Sequence, residues 1–395
     1  MPVPPVIAMA PNAWEGQWMN RQQLLSRLAA RGVRVVYSAG QWYSWQRHST
    51  QWRQAPHFGR FERRDGVIVD QPPKWLVRTP TLPVLDRLST RFAARRLLHE
   101  ARGNGSSSVI AYLFHPSFQP YVRHFANALL VYHAYDLFES MPSWSDTDRK
   151  QEEWLLARAD LVIASSEEIA RRLSERSGRL VRALHNAVDT AAFGEAIGAA
   201  PPPEDLRAVP TPRIGYVGSI NRKVDLPLLE ALALARPEWH FVLIGPVGSL
   251  DHATSDALER CRRLQNVHLL GAKPHWQLPA YVANLDLALM PYRKGAGLWT
   301  EAIYPLKLHE YLAADRPTVS TYLPSLKPFA SVLAFAASRD EWIAAIEDGL
   351  NTGGVGEGLR RAVAGRNDWE ARVNSLLDWL AESGTGALSH DSLSA

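Results

Sequence analysis

Ala199-Ala200-Pro201-Pro202-Pro203, followed shortly by Arg213-Ile214-Gly215-Tyr216-Val217-Gly218-Ser219, decides how this chain of 395 residues is read. Three consecutive prolines make a stiff, extended joint of the kind that separates domains. The second stretch is a short apolar run closed by a glycine, the pattern of a strand running into a tight turn. Beyond it, apolar runs at 213–217, 240–244, 267–270, 285–290 and 318–321 alternate with helical stretches. Ahead of the joint a similar series occupies 6–9, 33–37, 67–70, 109–114, 129–133 and 161–164. Strands alternating with helices predict a parallel sheet covered by helices. Two such series predict an α/β protein of two doubly wound domains facing across a cleft, with ligands at the carboxyl ends of the strands. The expected division is 1–200 for the first domain and 201–365 for the second, with a small, polar and disordered tail at 383–395.

Composition narrows the function classes. The chain is 46% hydrophobic and 21% charged, which excludes a fibrous or disordered protein. No stretch approaches the roughly 20 apolar residues of a membrane span. The start, Met1-Pro2-Val3-Pro4-Pro5, lacks the basic opening and apolar run of a secretory signal, so a cytoplasmic location is expected. The one cysteine, Cys261, leaves no internal disulfide and no cysteine-based metal cluster. With 44 basic and 40 acidic residues the net charge is +4, a mild basicity that permits anionic partners without naming one. No module interleaving basic and aromatic residues points to nucleic acid.

The most informative segment chemically is Tyr304-Pro305-Leu306-Lys307-Leu308-His309-Glu310-Tyr311-Leu312. Pro305 suits a helix start, where its missing N–H costs nothing. A helix beginning after a strand and loop presents free N–H groups and a positive dipole to an anion such as a diphosphate. Lys307 adds a full charge, and Glu310, one turn on, can accept hydrogen bonds from paired sugar hydroxyls. The same residues also fit an ordinary amphipathic helix with Leu308, Tyr311 and Leu312 inward and Glu310 in water.

This segment resembles the "PLK-L-EY-A-G-P-V" block of bacterial GT-B glycosyltransferases in the family-four-like retaining group. The stretch from Arg213 to Asp225, Asn266-Val-His-Leu-Leu-Gly271 and Leu285-Asp286-Leu-Ala-Leu-Met-Pro291-Tyr292 resemble further blocks of their C-terminal domain. Ala159-Asp160-Leu-Val-Ile-Ala-Ser165-Ser166 and His185-Asn186-Ala-Val-Asp189 look like the last elements of their N-terminal domain. The resemblance implies two Rossmann-like domains, with the donor on the second and the acceptor on the first. Asp368-Trp369-Glu-Ala-Arg-Val resembles their C-terminal helix, here 366–382, which crosses back to the N-terminal domain.

Residue by residue, the resemblance places Gly218, Ser219, Arg222, Lys223, Pro305, Leu306, Lys307, Leu308 and Glu310 around the donor. Arg222 or Lys223 would sit against the diphosphate, and Glu310 would hold the ribose. One departure stands out. Relatives carry a second glutamate eight positions earlier, with seven residues between the two, where this chain has Ala302, with Glu301 beside it.

In the first domain, Gly16 of Trp14-Glu-Gly16-Gln-Trp18 lies at the usual binding edge and would let backbone approach the donor; an ordinary turn with packing tryptophans fits equally. His115 and Asp136 end two strands, where relatives hold a His or Asp near the reacting carbon or the acceptor hydroxyl, so His115, Asp136 and Lys223 are the catalytic candidates. Asp146-Thr147-Asp148 spells the Asp-x-Asp of metal-dependent glycosyltransferases of another fold. After Ser145 and before a charged run it reads instead as a helix cap, and no metal or other cofactor is expected.

At 84–102, Arg87, Arg91 and Arg95 repeat at helical spacing beside Leu85, Leu88 and Phe92. Such a face could lie on the anionic inner leaflet of the cytoplasmic membrane, but Ala93 and Leu97 fall on another face, which favours a solvated helix covering the sheet. The reading is a glycosyltransferase moving a sugar from a nucleotide-diphosphate-sugar to a cell-envelope or exopolysaccharide acceptor, saccharide or lipid-linked, with retention. A nucleotide-sugar epimerase of the same fold and a non-catalytic nucleotide-sugar-binding protein are the alternatives.

Overall fold

Parallel strands buried on both faces need apolar side chains pointing up and down alike, which is why they appear as unbroken apolar runs. The computed structural model describes residues 3–103, 105, 108–141, 143–293 and 302–390. Its strands are β1 Val6–Met9, β2 Val35–Ser38, β3 Arg60–Arg64, β4 Val67–Gln71, β5 Val109–Leu113, β6 Ala128–Ala134, β7 Leu161–Ala164 and β8 Arg182–Ala183 in a first sheet. The second sheet holds β9 Arg213–Val217, β10 His240–Ile244, β11 Val267–Gly271, β12 Leu287–Met290, β13 Thr318–Ser320 and β14 Ala334–Phe335. All eleven sequence-predicted strands are present among these, most with ends shifted by one or two residues.

The first sheet runs β3-β4-β2-β1-β5-β6-β7-β8, parallel throughout except for β3 against β4. The second runs β11-β10-β9-β12-β13-β14 and is wholly parallel. In each, the chain winds outward from a central strand, first one way and then the other. The strand order therefore reverses between β1 and β5, and between β9 and β12, which opens a crevice at the carboxyl ends there. Ile214, Tyr216, Phe241, Leu243, Leu287 and Leu289 pack on one face of the second sheet, and Val217, Val242, Ile244, Ala288 and Met290 on the other.

Three strands, β3, β8 and β14, were absent from the sequence reading, and all three lie at sheet edges. Arg60-Phe-Glu-Arg-Arg is charged because an edge strand faces water. Its hairpin turn, Asp65-Gly66, has φ of 49° and 79°, the left-handed pair such a tight turn requires.

The chain divides into Met1–His185 with Arg372–Ala395, and Asn186–Ala371. The change of unit thus falls ahead of the prolines, not at 200/201. The reason is packing: Val188 and Phe193 are buried in the second unit's core with Leu206, Tyr281 and Leu308. Backbone pairs from Val188 to Asn367 and Trp369 add to this. The final helix, Trp369–His390, hands over from one unit to the other along its length. In the first unit its Asn374 meets Arg31 at 2.5 Å, and Glu382 meets Arg182 at 2.7 Å. Helix through His390 corrects the disorder expected from 383 onward; the last five residues lie outside the described ones. Among the described residues no helix is long and apolar enough to cross a membrane.

Candidate nucleotide-sugar site

At the switch point of the second sheet, β9 ends in Val217 and the chain turns sharply at Gly218. Gly218 has φ 141°, a conformation side chains rarely adopt. A Cβ there would lie 2.8 Å from the Lys307 Nζ, and one on Gly245, at the end of β10, would lie 2.0 Å from the Gly218 oxygen. Glycine at both positions lets two strand ends and a lysine crowd together. Gly218 N–H donates to Ile244 O at 2.8 Å, and Ser219 O accepts from the Tyr216 hydroxyl at 3.0 Å.

Facing this turn is the helix Leu306–Ala313, with Pro305 as its N-cap residue, so the helix begins one position after the start expected at Pro305. Tyr311 holds the helix to the sheet by accepting the Val217 N–H at 2.8 Å. Lys307 Nζ stands 3.9 Å from the Tyr216 ring centroid and 5.5 Å from that of Tyr292. Aromatic faces attract a cation while excluding water. Lys307 and Glu310 keep part of their surface open to solvent, but their ionised ends are poorly hydrated. Burial pulls the Lys307 pKa down to about 7, against Glu310, which raises it, and with Lys223, which lowers it further. Burial pushes Glu310 up to about 7, opposed by Lys307. Among the described residues the Glu310 carboxylate accepts no hydrogen bond and makes no ion pair.

The structure thus brings Gly218, Ser219, Lys307 and Glu310 to one strand edge. Lys223 lies near enough for its charge to act on Lys307, and its N–H donates to Asn221 Oδ1 at 2.9 Å. Arg222 is exposed, on a loop tied down by its N–H to Ser249 O at 3.1 Å. Leu306 is half-buried, and Pro305 is buried. Leu308 is different: it is wholly buried in the core, so its side chain is not a donor contact. Tyr216 and Tyr292 form walls that the sequence reading quoted without giving them a role. The signal was their place at the ends of two strands that turn out to be neighbours. Ala302 is buried, and Glu301 lies outside the described residues.

In the first unit, Gly16 sits in an exposed turn, its N–H to Ala13 O at 3.3 Å, without a left-handed φ. The flanking tryptophans pack: Trp14 is buried, edge-on to Tyr37 at 5.0 Å, and donates to Asp65 at 2.9 Å. His115 and Asp136 follow neighbouring strands, β5 and β6. His115 Nδ1 accepts the Ser117 N–H at 3.2 Å, which assigns the ring proton to Nε2. Burial lowers its pKa to about 4, so the ring is neutral at pH 7. Asp136 Oδ1 accepts the Leu137 N–H at 2.9 Å. Asp148 accepts from the Ser145 N–H at 3.0 Å, Ser145 Oγ accepts the Asp148 N–H at 3.2 Å, and Asp146 pairs with Arg149. Both carboxylates of the Asp-x-Asp are therefore engaged at the start of a helix.

Two doubly wound parallel sheets, with a helix N-terminus and a lysine at the switch point of the second, define a protein of the GT-B fold. Residues 211–351 match the family model described as glycosyl transferases group 1. A curated relative from Bacillus subtilis, TuaH, named as a candidate teichuronic acid biosynthesis glycosyltransferase, is 29% identical over 235 residues. That match spans 57% of this chain and 57% of the relative. Anabaena Alr3699/HepE in complex with UDP superposes with a TM-score of 0.65 at 16% identity, over 96% of this chain and 100% of that one. An α,α-trehalose 6-phosphate synthase from Burkholderia multivorans gives 0.67 at 12%, over 98% and 100%. At such identities the likeness is one of fold.

Proposed function

We propose that this protein is a glycosyltransferase that moves a sugar from a nucleoside-diphosphate-sugar to a cell-envelope or exopolysaccharide acceptor. One observation carries the reading: a lysine and a carboxylate without a hydrogen-bond or ion-pair partner among the described residues, one helical turn apart, at a strand switch point beside a glycine turn. Lys307, the helix N-terminus and Arg222 or Lys223 supply positive charge to a diphosphate. Glu310 accepts hydrogen bonds from the ribose hydroxyls. Uridine nucleotides are the first to test, because HepE was crystallised with UDP.

In the transfer, the bond from the donor's anomeric carbon to the diphosphate oxygen breaks, and one to an acceptor hydroxyl oxygen forms, through an oxocarbenium-like transition state. Charge on the departing diphosphate is met by Lys307 and Lys223. The acceptor proton needs a base, and Asp136 suits that task better than His115, whose Nε2 already carries a proton. The retaining outcome is part of the proposal and is read from the anomeric configuration of the product by NMR. The buried Ala302 keeps the non-catalytic reading in play: such a protein binds a nucleotide sugar and never cleaves it.

The experiment is calorimetry with UDP on wild type and Glu310→Ala. Loss of a hydrogen-bond acceptor of this charged kind weakens binding by about 1.5–3 kcal/mol. Unchanged affinity with the fold intact rejects the ribose role.

A surface feature extends the proposal to location. On the helix Pro83–Arg102, Val84, Leu85, Leu88 and Phe92 are exposed at 73%, 56%, 48% and 57%, beside exposed Arg87, Arg91 and Arg95. Apolar side chains interleaved with arginines suit an anionic lipid surface, where a lipid-linked acceptor would be presented.

A further inference from the structure

The first unit contains a cavity of about 730 Å³ beside the carboxyl ends of β1, β2 and β4, within the roughly 300–1,000 Å³ of small-molecule sites. Six aromatic residues and five glutamines are among its lining residues. We infer that this cavity binds an uncharged glycosyl unit and discriminates against anionic sugars. The role of acceptor subsite rests on the glycosyltransferase reading; the binding itself does not.

The lining matches the chemistry of a neutral pyranose. A sugar ring presents C–H groups on its faces and hydroxyls around its rim. Aromatic faces, which carry partial negative charge, take the C–H groups, and amides can both donate to and accept from hydroxyls. Trp42 and Tyr43 supply such rings, and Tyr43 is braced by stacking on Trp45 at 4.4 Å between centroids. Gln46 spends its oxygen on the Tyr43 N–H at 2.7 Å, which leaves its amide hydrogens for a ligand among the described contacts. The Trp42 indole N–H is shielded from solvent and, among the described residues, has no acceptor. A buried donor without a partner is costly, and a hydroxyl beside it would lift that cost.

Charge sets the discrimination. The acidic and basic lining residues are Glu15, Asp70 and Arg78. Arg78 is the one cation among them, and its charge is already spent. It is bidentate to Asp86 at 2.8 and 3.0 Å and lies over the rings of Tyr43 and Tyr121 at 5.5 and 5.4 Å. Asp70 is held by Ser38 at 2.8 Å and by Arg96, which does not line the cavity, at 3.1 Å. A uronate or sugar phosphate entering here would shed its hydration without a free cation among the described lining residues to replace it, beside the carboxylates of Glu15 and Asp70.

The test is saturation-transfer-difference NMR on the full chain, without nucleotide, using cellobiose and methyl glucoside against cellobiouronic acid and methyl glucuronide. The neutral sugars are expected to show transfer and to bind at least tenfold more tightly than their anionic counterparts. Trp42→Ala should abolish the signal and Trp42→Phe should retain part of it, while Trp75→Ala, outside the cavity, should change nothing. Uronates binding as well as neutral sugars, no binding of either, or full signal from Trp42→Ala in a folded protein would overturn the inference. Cleavage of donor sugars, measured separately on a panel of UDP-, GDP-, ADP- and dTDP-sugars, reports on the glycosyltransferase reading. Sugar binding without cleavage of any of them upholds the cavity and rejects that reading; cleavage without sugar binding does the reverse.

Discussion

At the proposed site, nucleotide binding is expected to exchange protons with solvent through Lys307 and Glu310, in a direction that reverses near neutral pH. The pKa values of both lie at about 7, the lysine lowered and the glutamate raised by burial. A diphosphate close to Lys307 stabilises its charged form. At about 4 Å and an effective dielectric near 20 the attraction is about 4 kcal/mol, or about three pKa units. Ribose hydroxyls donating to Glu310 likewise favour its ionised form. Binding therefore protonates the lysine and deprotonates the glutamate.

At pH 7 both are half-titrated, and the uptake of about half a proton is cancelled by release of about half. At pH 8 the free lysine is only about one-tenth charged and takes up ~0.9 proton, while the glutamate releases ~0.1. At pH 6 the balance inverts. The assay is calorimetric titration of UDP at each pH in buffers of different ionisation enthalpy, whose slope gives the protons exchanged. The nucleotide's own phosphate titrates near pH 6, so the variants provide the baseline. Lys307→Met should keep only the release, centred at pH 7 and below, and Glu310→Gln only the uptake, at pH 7 and above. Proton exchange identical in wild type and both variants would refute the argument.

Three further outcomes are expected. Gly218→Ala places a methyl 2.8 Å from Lys307 Nζ on a backbone of φ 141°; it should cost about 1–3 kcal/mol in urea unfolding and weaken UDP binding, and wild-type values for both would show that the close approach is not needed. Transfer activity should survive excess chelator, whereas Ser145→Ala should lower stability by about 1 kcal/mol through loss of the cap; activity abolished by chelator and by Asp148→Ala together would mean that the pair holds a cation. Replacing Arg87, Arg91 and Arg95 with Gln should remove about 3 kcal/mol of binding to anionic vesicles, a loss of more than a hundredfold by sedimentation. Equal sedimentation at low and high salt would leave the face simply solvated.

The order of strands and helices was legible in the sequence because a parallel sheet buried on both faces leaves unbroken apolar runs, and because the periods of strands and helices differ. Pro305 and Lys307 announced a helix N-terminus for the same local reason: capping and charge placement are decided within a few residues. Edge strands such as β3 escaped because water, not packing, selects their side chains. The unit boundary at Asn186 escaped because it depends on where Phe193 is buried, a contact with residues far away in the chain. What only the tertiary structure decided is the state of the site. Tyr216 and Gly218 come from the end of β9 and Tyr292 from the end of β12, far along the chain, and only their convergence on Lys307 strips water from the lysine and from Glu310. The Arg87 face is similar: a helix can place Leu88 and Phe92 inward or outward, and the packing of Ala93, Ala94 and Leu97 on the sheet turned them out. Local sequence sets conformation through short-range sterics and hydrogen bonds, whereas burial, and with it charge state, is a sum over neighbours that only the folded chain assembles.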